Sequence, residues 1–443
     1  MLTILIAHLN NITLSFNPTF LPIQKAPWFV YIIKWILISF LIGILAGSAS
    51  AFFLESLEWI GSYRDKNYWL LYLLPIGGFI VGAFYYYWGK GIESGNNLLI
   101  ENIHEPIKPR IPVKMAPMVL IGTLLTHIVG GSAGREGTAI QMSGSLSDQL
   151  TRIIHLSIED RKIILLASIA AGFSSVFGTP LAGAIFALEI CVIGKIRYQA
   201  LIPVLFSALI ANYITTDFWM VHHTAYHIAI IPNLTGPFFL YSIVAGICFG
   251  LTSLLFIKTM EHLSKLFKTV FPYPPIRPFV GGIVLSCIFL ILLYYFNNTK
   301  FIGLGVSGIV DSFQQPAHSY DFLLKLFLTA LTLSCGFKGG EVTPLFFIGA
   351  ALGSALSIIL PIPTALLAGM GFVAVFSGAT NTPIACIFMG IELFGSACGV
   401  YVAIACAIAY ICSGHVSIYT SQIVGEAKSE ELKKDEKIML TNL

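Results

Sequence analysis

The apolar stretches Met115–Val129, Ile163–Ala171, Pro180–Ile193, Leu345–Leu360, Ala365–Phe376, Ile384–Phe394 and Val400–Cys412 run for only 9 to 16 residues each. A helix needs about 20 residues to cross a hydrocarbon core roughly 30 Å thick. Breaks between such pieces are tolerated at membrane depth only when buried in protein or lining an aqueous path. The pattern therefore predicts broken helices whose ends meet near the membrane middle. Helix N-termini placed there can hold an anion without a full positive charge.

Composition makes the membrane reading firm. The chain is 56% hydrophobic and 11% charged, with a mean hydropathy of +0.83, whereas a soluble domain carries about 25% charged residues. No polar stretch is long enough for a separate cytosolic domain. The net charge of +3 argues against a polyanionic partner such as nucleic acid. The eight cysteines sit singly in apolar runs and read as small buried hydrophobes rather than ligands. No lipidation signal is present, and the N-terminus, without a basic n-region, is expected to stay uncleaved.

In chain order, residues 1–25 read as an N-terminal surface segment. Ala26–Phe53 is the first span and Glu55–Lys66 a charged loop. Leu70–Trp88 is the second span, with an aromatic belt at Tyr85–Trp88. Leu201–Thr216, Gly236–Ile257 and Phe279–Phe296 follow as spans, the last two joined by the basic linker Lys258–Pro278. His222, His223 and His227 have metal-like spacing, but no Cys, Asp or Glu accompanies them, so a solvated loop is expected. Nine charged residues between Glu426 and Lys437 predict a solvated tail, 426–443, with no folding role.

Two glycine-rich motifs carry the chemistry. Gly130–Thr138 reads GGSAGREGT, and Gly339–Thr343 reads GGEVT. Backbone N–H groups in such turns can converge on an anion because no Cβ obstructs them. Gly134, Glu136 and Thr138 correspond to Gly339, Glu341 and Thr343, at an offset of 205 residues. Gly172-Phe173 and Gly371-Phe372 repeat 199 residues apart, and each is followed by a Thr-Pro break, a short apolar helix and a glutamate, Glu189 or Glu392. The chain therefore reads as two homologous halves, 26–215 and 236–425, joined by a linker at 216–235. Sequence alone leaves their relative orientation open. A carboxylate at membrane depth is costly and marks a functional site, which singles out Glu136 and Glu341.

These residues carry a resemblance to the CLC family of chloride channels and proton-coupled anion antiporters. It rests on GREG at Gly134–Gly137, GGEVTP at Gly339–Pro344, GFSSVFGTPLAG at Gly172–Gly183 and the late Tyr419. The resemblance implies an all-α CLC-type fold with two inverted repeats of broken and tilted helices. It also implies a homodimer in which each subunit has its own anion route. Glu136 corresponds to the family's external gate, which competes with the anion when ionised and carries a proton when neutral. Like charge and desolvation both favour the neutral form of a carboxyl group beside a bound anion, so one side chain can link the two occupancies.

Departures from the family pattern bear on the substrate. Thr138 stands where proline is usual, GGEVTP replaces GxFxP, and ESGNN, with Asn96 and Asn97, replaces a serine motif aligned at Ser94. The combination resembles the fluoride-exporting, proton-coupled bacterial branch. The anion-binding set implied is Gly134, Arg135, Gly137, Thr138, Asn96, Asn97, Val342, Thr343, Phe346 and Tyr419, with Phe347 a second candidate wall. Ile190 stands where family exchangers carry an inner proton glutamate, so Glu341 is expected to take part of that load. Glu189 reads as structural, capping a helix or pairing with Lys195 or Arg197.

Fluoride/proton antiport at the bacterial inner membrane is thus the expected function, with chloride/proton antiport or a chloride channel as the alternative. The intramembrane glutamates argue against a scaffold or receptor. No Ser–His–Asp grouping, metal cluster or nucleotide loop points to an enzyme, and no cofactor is implied. No nucleotide-sensing tandem (CBS) domain is expected after residue 425.

Overall fold

The computed structural model describes residues 27–154 and 156–443; the expected surface segment 1–25 lies outside them. The described residues are almost entirely helical. Five segments are long and apolar enough to cross a membrane: Phe29–Lys66, Tyr68–Trp88, Tyr198–Phe218, Gly236–Val270 and Ile276–Phe296.

Helix α1, Pro27–Lys66, runs for 40 residues and absorbs the expected loop at Glu55–Lys66. Leu54, Leu57 and Ile60 fall on one buried face there, and that helical periodicity outweighs the charges between them. Helices α2 (Leu74–Trp88), α3 (Asn96–His104), α4 (Met115–Ile128), α5 (Glu136–Asp148), α6 (Ile158–Phe177), α7 (Pro180–Glu189) and α8 (Leu201–Tyr213) complete the first half. The second half holds α9 (Gly236–Val270), α10 (Ile276–Phe296), α11 (Val306–Gln314), α12 (Asp321–Ser334), α13 (Val342–Leu356), α14 (Thr364–Thr380), α15 (Pro383–Phe394) and α16 (Gly399–Cys412). Helix α9 continues to Val270 through most of the stretch expected as a linker.

Equivalent breaks stop equivalent helices. Helices α6 and α14 each end on a left-handed residue, Gly178 (φ 71°) and Asn381 (φ 59°). A Thr-Pro pair follows in each case, the proline being the first residue of α7 or α15. Proline suits that position because its missing N–H would have no helical partner. Helices α7 and α15 then close each other's ends. Glu189, the last residue of α7, accepts hydrogen bonds from the Ile384 and Ala385 N–H groups at 3.2 and 3.0 Å. Glu392, near the end of α15, accepts from Leu181 and Ala182 at 2.9 and 2.8 Å. Helices α7 and α15 therefore run antiparallel, the relation that inverted repeats require. Glu189 is a cap, as expected, but of a helix in the other half rather than a partner for Lys195 or Arg197.

A buried ion pair fastens the α3–α4 connection. Arg161 reaches Asp148 with two bonds of 2.8 Å and also donates to Asn102 Oδ1 and the Pro106 and Lys108 carbonyls. The charge is thereby matched and its donors are satisfied, which burial demands.

The C-terminal tail differs from the expectation of a free, solvated end. Strand β1 (Val192–Ile193) pairs in parallel with β2 (Ile423–Val424). The Lys428 ammonium is enclosed by the Asn381 side chain and the Tyr410 and Gly414 carbonyls at 2.5–2.6 Å. Asp435 accepts from His415 at 2.9 Å. Charge density misled the sequence reading because these charges have partners contributed by α14, α16 and the turn after it.

Candidate anion and proton route

The two glycine motifs meet at the centre. Gly134 N–H donates to the Gly340 carbonyl at 2.6 Å, and Gly340 N–H returns the bond to Gly134 at 2.8 Å, in an antiparallel bridge. A Cβ on Gly134 would stand 2.8 Å from Glu136 Oε2, and one on Gly340 would stand 2.9 Å from the Gly137 nitrogen. Side chains are excluded at both places. The bridge aims the N-termini of α5 and α13 at a common point.

Glu136 fills that point. Its side chain is fully buried and accepts from the Arg135 and Thr343 N–H groups, each at 3.1 Å, and from the Thr343 hydroxyl. Arg135 Nε lies 3.9 Å from the carboxylate, without a hydrogen-bond partner of its own. Backbone donors, a helix N-terminus and a guanidinium thus converge on one negative group, a geometry that equally suits a bound anion.

Cavities approach this seat from two sides. One of about 30 Å³ is lined by Arg135, His223, Tyr226, Thr343, Phe346 and Phe372. The other, of about 180 Å³, is lined by Glu93, Asn96, Asn97, Lys338, Glu341 and Tyr419, with Ser94 also on its wall. The segment Glu341–Thr343 passes from the second cavity to the first. The Tyr419 hydroxyl and Asn96 Oδ1 are buried without hydrogen-bond partners. The Asn97 side chain accepts from Ser421 N–H at 3.1 Å, tying the cavity wall to the segment after α16. Phe346 stacks on Phe372 with centroids 4.0 Å apart.

Other expected residues lie elsewhere. The Thr138 hydroxyl bonds that of Thr123 at 2.6 Å. It lines neither cavity, because the first turn of α5 points it at α4. Val342 is packed in the apolar core, and only its neighbours on either side reach the cavities. Gly137 contributes space, since a Cβ there would stand 3.0 Å from the Asn96 amide. Phe347 borders a separate cavity of about 200 Å³ with Lys300, Asp311 and Asp321. Ile190 is buried, its carbonyl held by Gln422 Nε2 at 2.7 Å.

The histidine loop is not simply solvated. His223 lines the Arg135-side cavity, with both ring nitrogens buried and without a hydrogen-bond partner. Tyr226 stacks on Phe313 at 5.1 Å and meets Phe372 in a tilted contact at 5.3 Å. Burial, then the nearby Arg135 charge, pulls His223 down to about 4 from its ordinary value. Among the described residues no group of three His, Cys, Asp or Glu is placed to hold a metal. Lys338, Glu93 and Gln141 in the larger cavity, and His223 and Tyr226 in the smaller one, were missed by the sequence reading. Lys338 had a legible signal, standing three residues before Glu341 in the repeated motif.

Comparison with known proteins agrees with this architecture. The sequence profile described as voltage gated chloride channel matches residues 77–414. A chloride/fluoride channel protein of Pseudomonas syringae pv. tomato is 48% identical, over 90% of this chain and 88% of its own. An H(+)/Cl(−) exchange transporter ClcA of Cronobacter sakazakii is 24% identical over 81% of each. Among solved structures, a CLC-type fluoride/proton antiporter superposes with a TM-score of 0.83 at 37% identity, covering 87% of this chain and 97% of that one. A slow cyanobacterial Cl−/H+ antiporter shares the fold at a TM-score of 0.72 and 19% identity. The profile match over most of the chain, the 48% identity and the shared all-α, multi-span fold make this protein a member of the CLC family.

Proposed function

We propose that this protein exports fluoride across the bacterial inner membrane in exchange for protons, with Glu136 serving both ions in turn. The observation that carries the reading is the Glu136 carboxylate seated on the Thr343 hydroxyl and N–H at the meeting point of two helix N-termini. An ionised Glu136 and an anion compete for the same donors. A neutral Glu136 loses its claim on them, leaves the seat to the anion and carries its proton outward or inward. On this reading the Arg135 side is the outer mouth and the Tyr419 side the inner one.

Fluoride is favoured by the donor set. It is a small, strongly hydrated ion, and leaving water demands strong hydrogen bonds in return. Thr343, Asn96 and Tyr419 offer polar groups, and Glu341, on the inner wall, offers a carboxyl able to share a proton. Glu341 also supplies an inner proton stop where Ile190 cannot. The 48% identical chloride/fluoride channel protein and the solved fluoride/proton antiporter support the same substrate. The protein is taken to act as a homodimer with one route per subunit, with exposed apolar residues such as Leu181, Leu201, Ile384 and Val400 on α7, α8, α15 and α16 available for the contact; cross-linking in native membranes tests this.

The deciding experiment loads proteoliposomes with fluoride or chloride and records anion efflux together with external pH. Fluoride efflux with proportional proton uptake and little chloride flux is expected, and Glu136→Gln removes the proton component. Comparable chloride flux would move the protein to chloride/proton exchange.

A further inference from the structure

We propose that Lys338 forms a docking site for a small inorganic anion in the Tyr419-side cavity, ahead of the seat that Glu136 fills. The proposal rests on the reading of that cavity as the inner mouth of an anion route.

Lys338 lies in the short segment between α12 and α13. Its backbone N–H is held by the Thr126 hydroxyl at 3.2 Å. Its ammonium stands 4.2 Å from the centre of the Tyr85 ring. Among the described residues that ammonium makes no hydrogen bond and no ion pair. An aromatic face orients a cation without consuming its N–H donors, so all three remain available to a ligand. The other charged groups on the cavity wall are both acidic, Glu93 and Glu341. Both act on Lys338 electrostatically, yet neither approaches within ion-pair distance. A lysine needed only to neutralise these carboxylates would have closed onto one of them, as Lys300 closes onto Asp321 at 2.6 Å.

A second observation points into the same space. The Tyr419 hydroxyl is fully enclosed, has no hydrogen-bond partner and borders this cavity. A buried hydroxyl normally finds a partner. The ammonium and the hydroxyl are therefore two unengaged donors on residues that line one cavity. The cavity volume of about 180 Å³ admits an anion with several waters, at about 30 Å³ per water in the liquid. An ammonium is a compact point charge, matched to a small, hard anion. Along the chain the order Lys338, Glu341, Thr343 is the order from cavity to seat. The anion docks at Lys338, sheds water beside the carboxyl of Glu341 and moves to the donors of Thr343. Without Lys338 the anion would meet two carboxylates and no cation at the entrance.

Wild type, Lys338→Met and Lys338→Arg are reconstituted, and initial fluoride efflux is followed over a range of internal fluoride while external pH is recorded. Lys338→Met is expected to raise the fluoride KM about tenfold, as removal of one partly screened charge predicts. Maximal rate stays within about twofold, and the fluoride-to-proton ratio is unchanged. Lys338→Arg restores most of the affinity. An unchanged KM in Lys338→Met would overturn the proposal. So would a well-folded Lys338→Arg as weak as the methionine variant, since size rather than charge would then matter. Monodisperse elution in detergent certifies folding; should Lys338→Met fail it, Lys338→Gln is measured instead, and failure of both makes Lys338 structural. Wild-type liposomes that release no fluoride refute the substrate reading instead, and the KM comparison is then run on the anion they do release.

Discussion

The Thr343 hydroxyl is the most informative atom to remove. Thr343→Val keeps the shape of the side chain and the backbone N–H but deletes the hydroxyl, whose hydrogen-bond partner is Glu136. Three donations hold the carboxylate: two N–H groups at 3.1 Å and this hydroxyl. A hydrogen bond to a charged group contributes about 1.5–3 kcal/mol. Its loss shifts the seated fraction of ionised Glu136 by roughly 10- to 150-fold relative to the released form. A fluoride in the same seat loses the same donor, whereas a larger, more weakly bonding halide loses less. Fluoride flux should therefore fall about tenfold or more, the fluoride-to-proton ratio should rise as anions pass a poorly seated gate, and the protein should discriminate less against chloride. Paired efflux and pH traces in proteoliposomes measure all three. A variant with wild-type fluoride rate and wild-type stoichiometry would refute the idea that this hydroxyl holds carboxylate and anion in turn.

Further outcomes follow from other contacts. Arg161→Ala leaves the buried Asp148 carboxylate without its guanidinium partner, with the Ile111 N–H at 2.8 Å still donating to it, and should cost about 3–5 kcal/mol, read as a lower midpoint in detergent thermal melts with little change in substrate preference. Glu136→Gln should leave anion movement but abolish its dependence on a proton gradient. The docked His223 ring resists protonation until about pH 4, chiefly through burial and then through Arg135, with His222 a smaller influence. An undocked loop takes up its proton near the ordinary value of 6.5. Docking of residues 219–235 is therefore at full strength above about pH 6.5 and weakens as pH falls toward 4. Hydrogen exchange corrected for intrinsic rates should show that loosening, and His223→Leu should remove it.

Much of the route was legible because it is built from backbone. Glycine-rich motifs at 130–138 and 339–343, Thr-Pro breaks after α6 and α14, and two carboxylates in apolar surroundings carry their meaning in residue type and spacing, although the sequence matched Gly134 to Gly339 and the bridge forms with Gly340. Features that depend on three-dimensional partners were not legible. Thr138 looked equivalent to Thr343, yet the rotation of α5 turns it to Thr123 while Thr343 meets Glu136. The charged tail looked solvated until α14 and α16 supplied acceptors for Lys428. His223 looked like an ordinary loop residue because the apposition of α6 and the loop after α8 brings it to Arg135. Adjacent aromatic residues also parted, Phe346 facing the Thr343 cavity and Phe347 a different one. Periodicity predicts which face is apolar, not which neighbour it meets.

The reciprocal capping of α7 and α15 has a consequence for how the protein is made. Leu181 and Glu392 are 211 residues apart, as the bond between them records. At about 5–20 residues per second, the second half completes this contact about 10–40 s after α7 leaves the ribosome. Through that interval Glu189 is a carboxylate without its intended donors, the first turn of α7 lacks its acceptor, and Gly134 lacks its antiparallel partner. The first half therefore waits in the membrane as an open half-structure, dependent on water, lipid headgroups or an insertion chaperone to cover its polar ends. Biogenesis, and not only transport, requires both halves to find one another.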